Sequence, residues 1–177
     1  MNIIAFSGSN SSSSINQKLV TFIASRLSAE VEVFQLTEYN LPMYSEDFEK
    51  DNGIPIEAYQ LKNKIDQAKA LIVSVNEHNS MVSAFFKNQM DWLSRIDALF
   101  LAEKKVLLTS TSPGQRGAKS ALNFVKDHYF KRFGAAVIEA FSFPSFTTNF
   151  DEQKQEITDE ILALGFQDVI TNFEQQI

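Results

Sequence analysis

The sequence contains no cysteine, which removes disulfide staples, thiolate nucleophiles and cysteine-bound metals from the chemistry open to it. Histidine is nearly as scarce, with 2 in 177 residues. His78 has no carboxylate or second histidine at metal-ligand spacing, and His128 falls on a different expected helix, so no metal site is expected. Basic residues are the minority, 16 against 22 acidic, and a net charge of -6 argues against nucleic acid or an anionic membrane as the main partner. No apolar run approaches the ~20 residues that a bilayer span needs. The opening MNIIAF has neither the basic start nor the cleavage site of a signal peptide, so the expected location is cytoplasmic. Repeats and linkers are missing too, and 1–177 reads as a single domain, globular by its 44% hydrophobic and 21% charged residues. Phenylalanine is the excess: 16 of them exceed what a minimal core needs and point to an interface as well.

Short apolar runs alternate with helical periodicities along the whole chain. NIIAF (2–6), VEVFQL (31–36), ALIVSV (70–75), KVLLTS (105–110) and AAVIEAF (135–141) read as strands. Three of these are continuous and rich in Val, Ile and Leu, as strands buried on both faces of a parallel sheet should be. Between them, Ile15, Leu19, Phe22, Ile23 and Leu27 follow helical spacing, as do Val82, Phe86, Met90, Leu93, Ile96 and Phe100. Further helices are expected over 56–70, around Leu122–Phe133 and at Ile161–Phe173. Five βα units in a row predict an α/β three-layer sandwich with a parallel sheet of order 2-1-3-4-5 and helices on both faces. In such a sheet, ligands bind at the carboxyl ends of strands 1, 3 and 4.

Those three loops are polar and rich in turn formers. After strand 1, six of the eight residues from Ser7 to Ser14 are serine. Ser14 and Gln17 have capping-box spacing, which accounts for one serine as an ordinary helix start. The rest, with the amides of a helix N-terminus, suit a phosphate. Neither G-x-x-x-x-G-K-[ST] nor G-x-G-x-x-G is present, so a single terminal phosphate is the better guest. After strand 3, Asn76, His78, Asn79 and Ser80 supply polar groups where a planar ligand would lie, although His78 alone fits a surface histidine equally well. After strand 4, Ser112-Pro113-Gly114 reads as a tight turn and Gly117 as a point of close approach; a plain turn before a helix is the alternative. No nucleophile–base pair or paired carboxylates stand in these loops, so no catalytic side chain is assigned. That is expected of a protein whose chemistry resides in a cofactor.

Taken together, these segments resemble the NADPH-dependent FMN reductase family, flavodoxin-like quinone and azo-dye reductases included. Gly8, Ser9, Asn10, Ser11, Ser14 and Asn16 follow its first motif, roughly G-S-x-R-x-x-S-x-N. Glu77, Asn79, Lys87, Asn88, Asp91, Trp92, Leu93, Ser94 and Arg95 match its second in register, and Ser112, Gly114 and Gly117 its third. LPMYSEDFE (41–49) is similar to the segment after the family's second strand. Ser11 stands where the family has an arginine, Asn76 and His78 where it has Pro and Tyr, and Ser83-Ala84 where it has Pro-Gly.

The resemblance implies FMN as cofactor and NADPH or NADH as co-substrate. Hydride would pass by a ping-pong mechanism to a quinone, azo dye, free flavin or similar small-molecule acceptor. It places the FMN phosphate at Ser9, Ser11, Ser14 and Asn16, and the flavin ring between Asn76, Glu77, His78, Asn79 and Ser80 and the backbone of Thr111, Ser112, Pro113, Gly114 and Gln115. Two alternatives are a flavodoxin-like electron carrier and a non-enzymatic flavodoxin-fold binding protein without tight FMN. The resemblance also implies a homodimer or homotetramer. Phe85, Trp92 and Leu99, recurring every seven residues beside the stripe assigned to the sheet, are the expected contact.

Overall fold

The structure, a computed structural model, describes residues 2–177. Five parallel strands form its centre: β1 (Ile3–Ser7), β2 (Val31–Val33), β3 (Ala70–Val75), β4 (Lys105–Thr111) and β5 (Ala136–Phe143). They lie in the order β2-β1-β3-β4-β5, which is the expected 2-1-3-4-5 arrangement. Ser7 aligns with Ser74, Val75 with Ser110 and Thr111 with Phe143, so the strands end together at one edge.

Alternation along the strands divides the core into two layers. Ile4, Phe6, Leu71, Val73, Val75, Val106 and Leu108 face one way, onto α3 (Ile56–Gln67), α4 (Ala84–Ile96) and α5 (Lys119–Phe124). Ile3, Ala5, Ala70, Ile72 and Leu107 face the other, onto α1 (Ile15–Arg26) and the C-terminal helix, α6 (Glu160–Gln176). Burial on both faces is why β3 and the middle of β4 are uninterrupted apolar runs. Strand β2 stops at Val33 rather than Leu36. Being the edge strand, it has one neighbour only, and after a last bond from the Phe34 amide to Ala5 O the chain tightens into a 3₁₀ turn at Leu36–Glu38.

Helix α5 does not run on regularly. It passes through a π-helical turn at Val125–Tyr129 before a last turn at Phe130–Arg132. The extra residue in that turn is invisible to i, i+4 spacing. Helix α2 (Glu46–Asn52), capped by Ser45, was not anticipated, because Phe48 is its single apolar residue.

The stripe expected to await a partner subunit is largely satisfied within the chain. Trp92 is 0% exposed, packed with Leu41 and Ala58, with Tyr44 and Phe48 edge-on to its ring. Its Nε1 donates to Pro42 O at 2.7 Å. Asn88 binds the same strap, donating to Pro42 O and accepting from the Tyr44 amide, and Arg95 pairs with Glu49. Phe85 is half-buried against the core, which leaves only Leu99 substantially exposed. The last helix forms as expected, although Ile161 and Leu164 at its start are 83% and 69% exposed; its buried face is Phe166, Ile170 and Phe173. No helix is long and apolar enough to cross a membrane among the described residues.

Candidate functional site

The carboxyl edge of β1 opens into the serine loop, and α1 begins where Ser14 Oγ accepts the Gln17 amide at 3.1 Å. The other hydroxyls fold back on the loop. Ser7 Oγ accepts from the Ser9 amide, Ser9 Oγ from the Ser11 amide and Ser11 Oγ from the Ser13 amide, at 3.2–3.4 Å. A hydroxyl that accepts keeps its own proton to donate, so the loop presents donors beside a helix N-terminus. Gly8 holds the loop's first turn against the sheet. Its amide donates to Ser74 O, its carbonyl accepts from Ser83 Oγ, and a Cβ there would lie 2.8 Å from the Phe86 ring.

Asn16 is the joint of the site. It is buried at the first turn of α1, its Oδ1 accepting from Ser74 Oγ at 2.7 Å and the Thr111 amide at 3.1 Å while its Nδ2 donates to Thr111 O at 3.2 Å. One side chain thus ties the first loop to the ends of β3 and β4.

Beyond β3 the chain makes a small hairpin, Glu77–His78 against Met81–Val82. Its tip residues Asn79 and Ser80 are both left-handed, at φ 52° and 67°, as a type I′ turn requires. The Glu77 carboxylate reaches across to accept the Ala121 amide at 3.0 Å, capping α5, whose own N-cap Ala118 supplies no side chain. Asn76 Nδ2 lies 3.4 Å from His78 Nε2, and Asn76 Oδ1 is buried without any hydrogen-bond partner. The last loop is held from below. Thr111 Oγ1 donates to Phe143 O, and Ser112 O and Gly114 O accept from the Phe146 and Ser145 amides. Gly117 is left-handed at φ +56°, and a Cβ there would meet Ser142 Oγ at 2.6 Å and the Phe143 backbone at 2.8 Å. Close packing leaves no alternative to glycine at that position.

These three loops enclose a cavity of about 310 Å³. Of the residues named from sequence, Ser9, Ser11, Ser14, Asn16, Asn76, Glu77, His78, Thr111, Ser112 and Pro113 line it, joined by Ser13 and Ile15. Asn79, Ser80, Gly114 and Gln115 do not. Asn79 turns to a neighbouring cavity behind the hairpin, and the other three are exposed. Ser13 was legible in the serine run; Ile15 carried only a helix signal. No lysine or arginine lines the cavity, and its single carboxylate, Glu77, is engaged by α5. The donor set fits a phosphate held by hydroxyls and amides. The partnerless Asn76 oxygen fits a ligand that brings its own N–H.

A larger cavity, about 540 Å³, lies at the opposite edge of the sheet among Asp66, Lys69, Glu103, Lys104 and Lys105. Two of its lysines are committed to helix ends: Lys104 donates to Asp66 O and Ala68 O after α3, and Lys105 to Gln176 O in α6. Desolvation lowers the pKa of Lys104 from the usual lysine value. That cavity reads as a structural seam. Among the described residues no three acidic or histidine side chains gather as a metal site would require.

The model of the NADPH-dependent FMN reductase family matches residues 1–148. An uncharacterised protein of Mycoplasma pneumoniae is 32% identical over 149 residues, covering 81% of this chain and 87% of that protein. A quinone reductase of Escherichia coli K12 is 30% identical over 118 residues, covering 66% of this chain but only 63% of its own length. Among solved structures, the flavoenzyme NAD(P)H:(acceptor) oxidoreductase FerB of Paracoccus denitrificans superposes with a TM-score of 0.81, covering 98% of this chain and 95% of that one. At 23% identity, that likeness speaks to the flavodoxin-like fold.

Proposed function

Because this chain belongs to the NADPH-dependent FMN reductase family, we propose that it holds FMN at the carboxyl edge of β1, β3 and β4 and works as a ping-pong oxidoreductase. NADPH or NADH is the donor in this reading, and a quinone, azo dye, free flavin or similar small molecule is the acceptor. FMN, when bound, supplies the redox centre that takes a hydride from one substrate and returns it to the next. The chain's own work is to bind, orient and shield it. Ser9, Ser11 and Ser14 and the first amides of α1 take the phosphate, with Asn16 behind them setting where the third loop stands. The hairpin at 77–82 walls one side of the ring position, and Glu77 fixes that wall to α5. The backbone amide of Ser112, on the cavity wall, is the donor assigned to the ring edge where reduction adds negative charge. The whole of 1–177 acts as one unit here, in a dimer or tetramer whose contact includes Leu99 rather than Trp92.

The observation that carries this reading is the convergence of three polar strand-end loops on one cavity containing a buried, partnerless amide oxygen. FMN titrated into apoprotein tests it, with flavin fluorescence as the readout. A saturable one-to-one complex, weakened in Ser14→Ala, is expected; identical affinity in a folded Ser14→Ala variant removes the phosphate assignment. The absence of lysine and arginine from the cavity wall favours a second reading, a flavodoxin-fold binding protein without tight FMN. No saturation in the same titration would select it.

A further inference from the structure

A separate cavity of about 450 Å³ adjoins the hairpin. Its lining differs in kind. Met81, Val82, Ala84 and the half-buried Phe124 ring give apolar walls, and Lys87 is the one fully charged side chain among them. His78 lines both cavities, so the hairpin is a shared partition.

We propose that this second cavity binds a planar aromatic anion, an arene carrying one carboxylate or phenolate, with its ring on Phe124 and its charge at Lys87. The volume lies within the range of small-molecule sites, and the mixture of apolar walls with one placed cation is what such sites use. Phe124 is braced for stacking from behind: its ring lies 5.7 Å from that of Tyr129 at 30°, and Tyr129 in turn packs on Phe133 at 4.9 Å. Lys87 is available. Its present partner is Asp91, one turn along α4 at 2.6 Å, with the lysine side chain 53% exposed. An exposed i, i+4 pair of this kind contributes only about 0.3–0.5 kcal/mol and is readily exchanged for a ligand anion in a less solvated site. No carboxylate lines the cavity to oppose that anion. Occupancy of the cavity would press on the strained tip at Asn79 and Ser80, which links the two sites through one short hairpin.

The site is independent of the flavin assignment, and the test keeps the two apart. 2-Naphthoate, and its uncharged isostere 2-naphthamide, are titrated calorimetrically into the purified protein with and without added FMN. NMR of the methionine methyls reports where they bind. Naphthoate should bind in both cases, shift the Met81 methyl and leave Met43 alone, and exceed naphthamide in affinity. Lys87→Met should weaken naphthoate about tenfold and abolish the preference for the acid, and Phe124→Ala should weaken both ligands. No binding, equal affinity for acid and amide, or an unmoved Met81 methyl would overturn the proposal, whatever FMN does.

Discussion

Replacing Asn16 with alanine removes the joint between α1, β3 and β4. Three hydrogen bonds are lost, at 2.7, 3.1 and 3.2 Å, from a side chain only 4% exposed. Each is worth about 0.5–1.5 kcal/mol net, and the Thr111 amide, buried and left without an acceptor, adds a desolvation cost of about 1–3 kcal/mol. Ser74 can rotate its hydroxyl and recover part of the loss. Taken at the low end of these ranges, the sum is about 3 kcal/mol, a large fraction of the roughly 5–15 kcal/mol that holds a domain together. With a urea m-value of about 2 kcal/mol/M, the unfolding midpoint should fall by about 1.5 M. Trp92, the sole tryptophan and buried beside Tyr44, reports the transition. Asn16→Asp separates geometry from charge. It keeps both acceptor contacts but turns a carboxylate toward Thr111 O, which raises its pKa in the folded state. Its destabilisation should therefore be present at neutral pH and relieved as pH falls through that raised value, where the protonated acid donates to Thr111 O again. A midpoint shift below about 0.3 M in Asn16→Ala, equivalent to about 0.6 kcal/mol at that m-value, would refute the clamp.

Ser11→Arg should tighten FMN binding about tenfold, the lower end of the roughly 1.5–3 kcal/mol for a charge-assisted phosphate contact because Ser11 is exposed. The gain should shrink with added salt, and equal affinity for FMN in titrations of both proteins would contradict it. Ser80→Gly should raise the melting temperature, because it relieves a left-handed residue at φ 67°; the penalty of about 1–2 kcal/mol is partly offset by glycine's entropy, and a lower melting point would refute this. Trp92→Glu should cost more than the roughly 3–5 kcal/mol of a large-to-small core change, since it also buries a charge; circular dichroism showing an unchanged melting curve would contradict the burial.

Which parts of this molecule were legible in its sequence follows from how many neighbours each part has. Strand β3 and the core of β4 are apolar without interruption because sheet and helices cover both faces, so ALIVSV and KVLLTS declared themselves. The inner stripe of α4, Phe86, Met90 and Leu93, was equally plain. Trp92 misled because periodicity shows that a face is apolar but not what covers it. The cover is a strap at 41–52, distant in sequence and almost without regular apolar spacing. The hairpin at 77–82 escaped because its type I′ turn is made by Asn-Ser where Asn-Gly is the usual signal. In the candidate site, residue types and loop positions were readable, but hydrogen-bond assignments were not. Asn16 reads as a ligand donor and is built as a clamp; Glu77 reads as a ring contact and caps α5. Both roles depend on partners 95 and 44 residues away, a separation no local pattern carries.

The most direct measurement of the central claim is anaerobic absorbance spectroscopy of the FMN-loaded protein during addition of NADPH and, separately, NADH. At least one of them should bleach the bound flavin's visible band, and a quinone should then restore it, turn after turn. Bound flavin that neither nucleotide bleaches, or protein that takes up no flavin at all, would contradict it.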